Sequence, residues 1–178
     1  MDIVGAMFDL SQRHFGRFTR TAAENEAAFT EASAALAEAR DDDGTVEAEV
    51  SLGEALTIAG REREALAILG PAVSRARSES SAVLGWAVLM LATAEHYADL
   101  PADASPHFDE ALRIARDEQD EELEHYCLHH LGRFLVDQGQ REAGREAFAE
   151  CLVIRERVDE PRAARTREAI AALDAAPR

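Results

Sequence analysis

The sequence has no lysine; all 19 of its basic residues are arginine. Cysteine is nearly absent as well, and Cys127 and Cys151 are too few for a disulfide framework, so both are expected as reduced, buried thiols of a cytosolic protein. The longest apolar run, AVLGWAVLMLATA, stops at Glu95 and His96, well short of the roughly 20 residues that cross a bilayer. The start, MDIVGAMFDLSQRHF, lacks the basic region of a signal peptide. Glycine-rich phosphate loops, a nucleophile elbow, a dinucleotide fingerprint and an HExxH pair are all missing. An enzyme is therefore not expected.

Positive charge is in short supply overall. The formal net charge is −16 and the sequence pI about 4.7, so phosphate backbones and anionic bilayers repel the chain and neither nucleic acid nor membrane is an expected partner. A local arginine cluster such as Arg162, Arg165 and Arg167 offers at most an isolated contact.

What is abundant is leucine, alanine, glutamate and arginine, all good helix formers. An all-α fold follows, and a chain of 178 residues buries roughly 70% of its extended surface as one domain. The helical pattern recurs. Gly53, Leu56, Gly60, Ala65, Leu69 and Ala72 match Gly132, Leu135, Gly139, Gly144, Phe148 and Cys151 at a constant offset of 79 residues. Halfway between them stand Ala92, Glu95, Asp99, Ala104, Phe108 and Ala111, a poorer copy without either glycine. A period of 39 to 40 residues is that of stacked helical hairpins, each burying its apolar side against its neighbours.

Around these units, a helix from about Ile3 would set Phe8, Phe15 and Phe18 on one stripe. Thr21 and Glu24 form a capping box for a second helix, which the run DDDG after Arg40 is expected to stop. The first repeat unit starts from Thr45, with helices Val46–Ile58 and Glu62–Arg77, the latter kinked or split at Gly70-Pro71. The next runs Ala82–Ala98, with LPADASP as a turn and Ser105 capping a helix from Pro106 to Arg116. Leu123–Val136 and Arg141–Arg157 make the last hairpin, and Pro161–Ala175 a capping helix. The expected organisation is one domain: residues 1–44 as amino-terminal helices, 45–157 as three units and 158–178 as the cap.

The best unit, Leu128, Leu131-Gly132, Leu135, Gly139, Gly144, Phe148, Cys151, resembles the tetratricopeptide repeat, and Leu52-Gly53, Leu56, Gly60, Ala65, Leu69, Ala72 follows it. The length of the unit resembles the longer-helix members of that family. Gly144 replaces the usual alanine, and the closing proline of the unit is missing. The resemblance implies a right-handed superhelical stack of antiparallel hairpins whose first helices line a concave face, used to hold a peptide or helix. Carried over, the lining residues are Glu47, Val50 and Glu54; Trp86, Leu89, Thr93, His96 and Tyr97; and Tyr126, His129, Arg133 and Asp137. The family's lysine and asparagine clamp for a terminal carboxylate has no counterpart here, so the expected partner is a protein with apolar and basic features. The alternatives are a homodimer through Phe8, Phe15 and Phe18, or a small helical metal-binding protein.

For the metal, Glu121, His125 and His129 lie four apart on one helical face, a spacing that suits a divalent ion. Glu-x-x-His occurs once, at Glu122 and His125, without the second pair of a carboxylate-bridged bundle. No metal and no cofactor are therefore expected, with His125 and His130 facing solvent. Cys127 and His130 are three apart, but no third group orients them as a nucleophile pair.

Overall fold

A computed structural model describes Phe8, Leu10, His14–Phe18 and Arg20–Ala175, and all of the secondary structure among these residues is helical. Eight helices follow one another in antiparallel succession: α1 (Ala22–Glu38), α2 (Asp42–Ile58), α3 (Glu62–Glu79), α4 (Leu84–Tyr97), α5 (Pro101–Glu118), α6 (Glu121–Asp137), α7 (Arg141–Val158) and α8 (Glu160–Ala175). Their hairpin-like pairing is consistent with the tetratricopeptide-like architecture expected from the sequence. Two compact units divide the chain within α5: residues 19–111, and Leu112–Arg178 together with the described residues up to Phe18.

The turns explain the period. Gly60 and Gly139 have φ of 78° and 74°, and Asp99, standing at the corresponding position of the middle unit, takes the same left-handed conformation at 59°. In each case the amide of the following residue reaches back to a carbonyl five residues earlier: Arg61 to Leu56 at 2.9 Å, Leu100 to Glu95 at 2.9 Å, Gln140 to Leu135 at 2.8 Å. This left-handed helix stop satisfies carbonyls that the helix end leaves open. Ser80 and Gln119, with φ of 53° and 58°, repeat it after α3 and α5, where Ser81 and Asp120 bond back to Ala76 and Ala115 at 2.9 Å.

Within the first unit, α2 packs on α1, α3 and α4, and α3 on α4. The hairpin α2–α3 closes over Gly53, where an added Cβ would lie 2.5 Å from the Leu69 side chain. Between α4 and α5, Ala92 and Phe108 are both fully buried at the same separation in sequence, and Phe108 meets the His96 ring edge-on at 6.3 Å. In the second unit, α7 packs on α6 and α8. There a Cβ at Gly132 would press on the Phe148 ring at 3.0 Å and on the Gly144 carbonyl oxygen at 3.1 Å. A small residue on the first helix facing a large apolar one on the second is the contact at both Gly53–Leu69 and Gly132–Phe148. Exposed arginine–carboxylate pairs such as Arg116 with Glu124 and Glu150 lie over it and contribute little each.

Several boundaries differ from expectation for identifiable reasons. The run Asp41–Asp43 starts α2 instead of stopping α1: Asp41 caps it by accepting from the Gly44 amide, and Asp42 and Asp43 sit in its first turn, where carboxylates complement the helix dipole. Pro71 lies inside α3, which continues unbroken to Glu79. Helix α5 begins at Pro101, so the expected cap at Ser105 and start at Pro106 fall inside it; proline at a first helical position loses no bond. The capping box at Thr21 and Glu24 is formed as expected. A helix around Phe8, Phe15 and Phe18 is not: the described residues there are turns, a bend and irregular backbone, and the rest of the stretch from Ile3 lies outside the described residues.

An added Cβ at Gly139 meets nothing within 4 Å, so substitution there isolates backbone strain. Replacing Gly139 with valine is expected to cost about 1–2 kcal/mol, the penalty of a left-handed conformation for an L-residue, and to lower Tm by a few degrees. Asp99→Gly should raise Tm for the same reason, and thermal denaturation of the two variants measures both signs.

Candidate functional site

The stripe Tyr126, His129, Arg133 and Asp137 runs along one side of α6, with spacings of three and four residues. The structure brings all four together, each engaged by another part of the same unit. At the end nearer the start of α6, Arg162 lies over the Tyr126 ring at 5.1 Å and Arg155 at 5.8 Å. Arg155, on α7, is buried at 3% exposure. Its guanidinium donates to Thr166 Oγ1 at 2.8 Å and to His125 Nδ1 at 3.3 Å, and lies 3.1 Å from His129 Nδ1.

This geometry decides the state of both imidazoles. A ring nitrogen that receives a guanidinium N–H must carry a free lone pair, so His125 is neutral with its proton on Nε2. Burial and then the adjacent Arg155 charge hold the His125 pKa down at about 4. Burial, followed by Arg155 and Arg133, pushes His129 well below its ordinary range. Burial also lowers the pKa of Arg155 itself. Glu121, the third member of the metal-like spacing, is exposed and pairs with Arg157 at 2.5 Å. The expectation that His125 faces solvent is thus corrected, since it is 2% exposed. A cation occupies the side of His125 and His129 where a metal would bind, and it is arginine.

At the far end of the stripe, Arg133 and Asp137 grip a single residue. Asp137 Oδ1 accepts from the Phe15 amide at 2.8 Å, and Arg133 Nε donates to the Phe15 carbonyl at 3.1 Å. The Phe15 side chain fills a pocket with Phe8, Val136, Phe148, Ala169 and Leu173, its ring 6.1 Å from Phe148 and 5.3 Å from Phe8. Gly16 follows at φ 66°, and a Cβ there would lie 2.6 Å from the Phe8 ring. His14 Nδ1 stands 3.6 Å from Asp137 Oδ2. The chain beside α6 is therefore held by its backbone on both sides and by one aromatic anchor. This arrangement overturns a homodimer through Phe8, Phe15 and Phe18: Phe8 is 7% and Phe15 1% exposed, and half-buried Phe18 lies under Arg165 at 5.7 Å.

In the other unit, Glu47, Val50 and Glu54 lie on one stripe of α2, the two glutamates exposed and Val50 half-buried. On neighbouring α4, Trp86 is half-buried, whereas Leu89, Thr93, His96 and Tyr97 are buried, with His96 and Tyr97 rings 4.9 Å apart. Neither thiol is an available nucleophile: burial raises the Cys127 pKa to about 12 and raises that of Cys151. A thiolate is therefore a negligible population at neutral pH. Among the described residues, no helix is long and apolar enough to cross a membrane.

Sequence reasoning missed Arg155 and Thr166. A signal existed for the first, because Arg155 continues the buried spacing Phe148, Cys151, Arg155 on α7 and so stands where an apolar residue would be expected. Phe15 belongs to an aromatic cluster visible in the sequence, but more than a hundred residues separate it from Arg133 and Asp137.

The buried imidazoles make stability depend on pH. Unfolded histidine takes up a proton near pH 6.5, whereas His125, facing Arg155, Arg162 and Asp159, holds out to about 4. Stability is thus full above pH 6.5 and falls as the pH drops from 6.5 towards 4, because the unfolded chain binds more protons. Urea midpoints at pH 7.5, 6, 5 and 4 should decline over that window. His125→Gln, which cannot titrate, should show a shallower decline.

The model of the family described as tetratricopeptide repeat matches residues 126–158. This span takes in most of α6 and all of α7, the hairpin that carries Tyr126, His129, Arg133 and Asp137. No curated protein and no solved structure matches the chain. One repeat of tetratricopeptide type is therefore present at 126–158, within an all-helical architecture of a class not associated with catalysis.

Proposed function

We propose that the chain is a non-enzymatic protein-interaction module whose first helices hold an extended peptide or a helix of a partner protein, on a run of longer-unit repeats. The observation that carries this reading is the grip of Arg133 and Asp137 on the backbone N–H and C=O of Phe15. In a clamp on main-chain groups with a pocket for one side chain, the backbone bonds supply affinity and the pocket supplies specificity. The exposed Glu47 and Glu54 beside half-buried Val50 offer a second stripe of the same kind on α2. Charges at such a rim act on association rate more than on affinity.

Selection of a random-peptide display library on the full-length protein tests the reading. Peptides are expected to enrich, and their affinity should drop about tenfold or more on Arg133→Ala, the loss of a charged hydrogen bond worth about 1.5–3 kcal/mol. Glu54→Arg should impair those that use α2, and Arg113→Ala, exposed on α5, should leave all of them unchanged. A selection that enriches nothing, or ligands indifferent to every first-helix substitution, would reject it.

A further inference from the structure

The residues around Phe15 are bound to α6 as a ligand would be, and they belong to the same chain. Four features define that bound segment. The Phe15 ring is 1% exposed in a pocket made by α6, α7 and α8. Its amide and carbonyl are held by two side chains one helical turn apart. The next residue is in a left-handed conformation that a side chain would strain, with the Phe8 ring closing over it. Finally, the fastening residues include Arg133, which is itself buried at 4% exposure and whose guanidinium donates to a carbonyl of the segment.

The clamp holds the segment through main-chain groups that any peptide carries and through one aromatic side chain. We infer that this pocket and clamp form a recognition site for an aromatic residue followed by glycine, that residues 14–16 are its internal occupant, and that a partner peptide of the same chemistry replaces them. The inference rests on the reading of α6 as a peptide-binding helix and adds to it the motif and its self-occlusion.

The physical consequence is competition. A segment tethered in the same molecule acts at an effective concentration that can reach millimolar, so a free peptide sees only the fraction of molecules in which the site is open, and its apparent affinity falls by that fraction. Partner binding at this site would therefore expose Phe8 and Phe15. Ligands of modest affinity would be excluded.

The test uses full-length protein and a fluorescent synthetic peptide of residues 12–20, QRHFGRFTR, followed by anisotropy. Wild type should bind it weakly. Phe15→Ala, which empties the pocket, should bind it about tenfold more tightly, the gain expected for a site open in a tenth of wild-type molecules. Removing a buried phenylalanine costs about 3–5 kcal/mol, so Gly16→Ala is the second variant: it disturbs the seated conformation while leaving the pocket residues in place, and it should also tighten binding. Adding Arg133→Ala to either variant should abolish the gain, and a peptide with alanine at the Phe15 position should not bind. Circular dichroism confirms that each variant is folded.

Equal affinity of the peptide for wild type and both folded segment variants would overturn self-occlusion. If library-selected peptides still depend on Arg133 in that case, the interaction-module reading survives alone. Tighter binding that ignores Arg133→Ala would also overturn the inference, because the clamp would then play no part in recognition.

Discussion

The structure depends on how closely the two helices of a hairpin approach. At Gly132 and Gly144 the backbones of α6 and α7 come so near that a Cβ on either would meet a carbonyl oxygen, at 3.1 and 2.8 Å. This closeness draws Phe148 fully inside, where its ring packs on His129 at 5.2 Å and on Phe15 at 6.1 Å. The same device operates at Gly53 and Leu69. Without a small residue on the first helix, the large one on the second could not lie flat against it, and the wall of the Phe15 pocket would be displaced.

The second constraint is electrostatic. Burying a guanidinium is costly unless its donors are matched, and the protein buries two on neighbouring sides of α6. Arg155 is matched by imidazole nitrogens and a hydroxyl, which binds α7 to α6 and α8 and fixes both histidines as neutral. Arg133 is matched by a backbone carbonyl from a segment distant in sequence. One arginine thus locks the helices together, while the other makes part of the core out of a chain that is not helical. The first arrangement is internal to the hairpin and its cap, and the second ties the segment around Phe15 to α6.

Much of the fold was legible because its determinants are local. The turns at 60 and 139 were readable from glycine, and both adopt left-handed backbone, since the stop needs only the few residues before it; Asp99 takes the same conformation just ahead of the stretch LPADASP where the turn was expected. The small-to-large pairing was readable from spacing alone. The misread boundaries, Asp41–Asp43 and Pro101–Pro106, share a cause: acidic residues and prolines both start and end helices, and which role they take depends on the neighbouring element they must meet. The stripe Tyr126, His129, Arg133 and Asp137 was likewise given by helical spacing together with the family resemblance. Its engagement was not, because nothing within α6 reports what lies across from it.

The sequence by itself determined an all-helical chain, its hairpin period, its turn geometry and the poverty of catalytic groups, because these follow from propensity, spacing and residue type within one or two turns of helix. Tertiary structure alone decided that His125 is buried beside a cation, that Arg155 belongs to the core, and that Phe15 lies in the grip of Arg133 and Asp137. Those outcomes depend on contacts between residues tens to more than a hundred positions apart, and the free energy of such contacts is set by which groups are left to satisfy one another once water is removed.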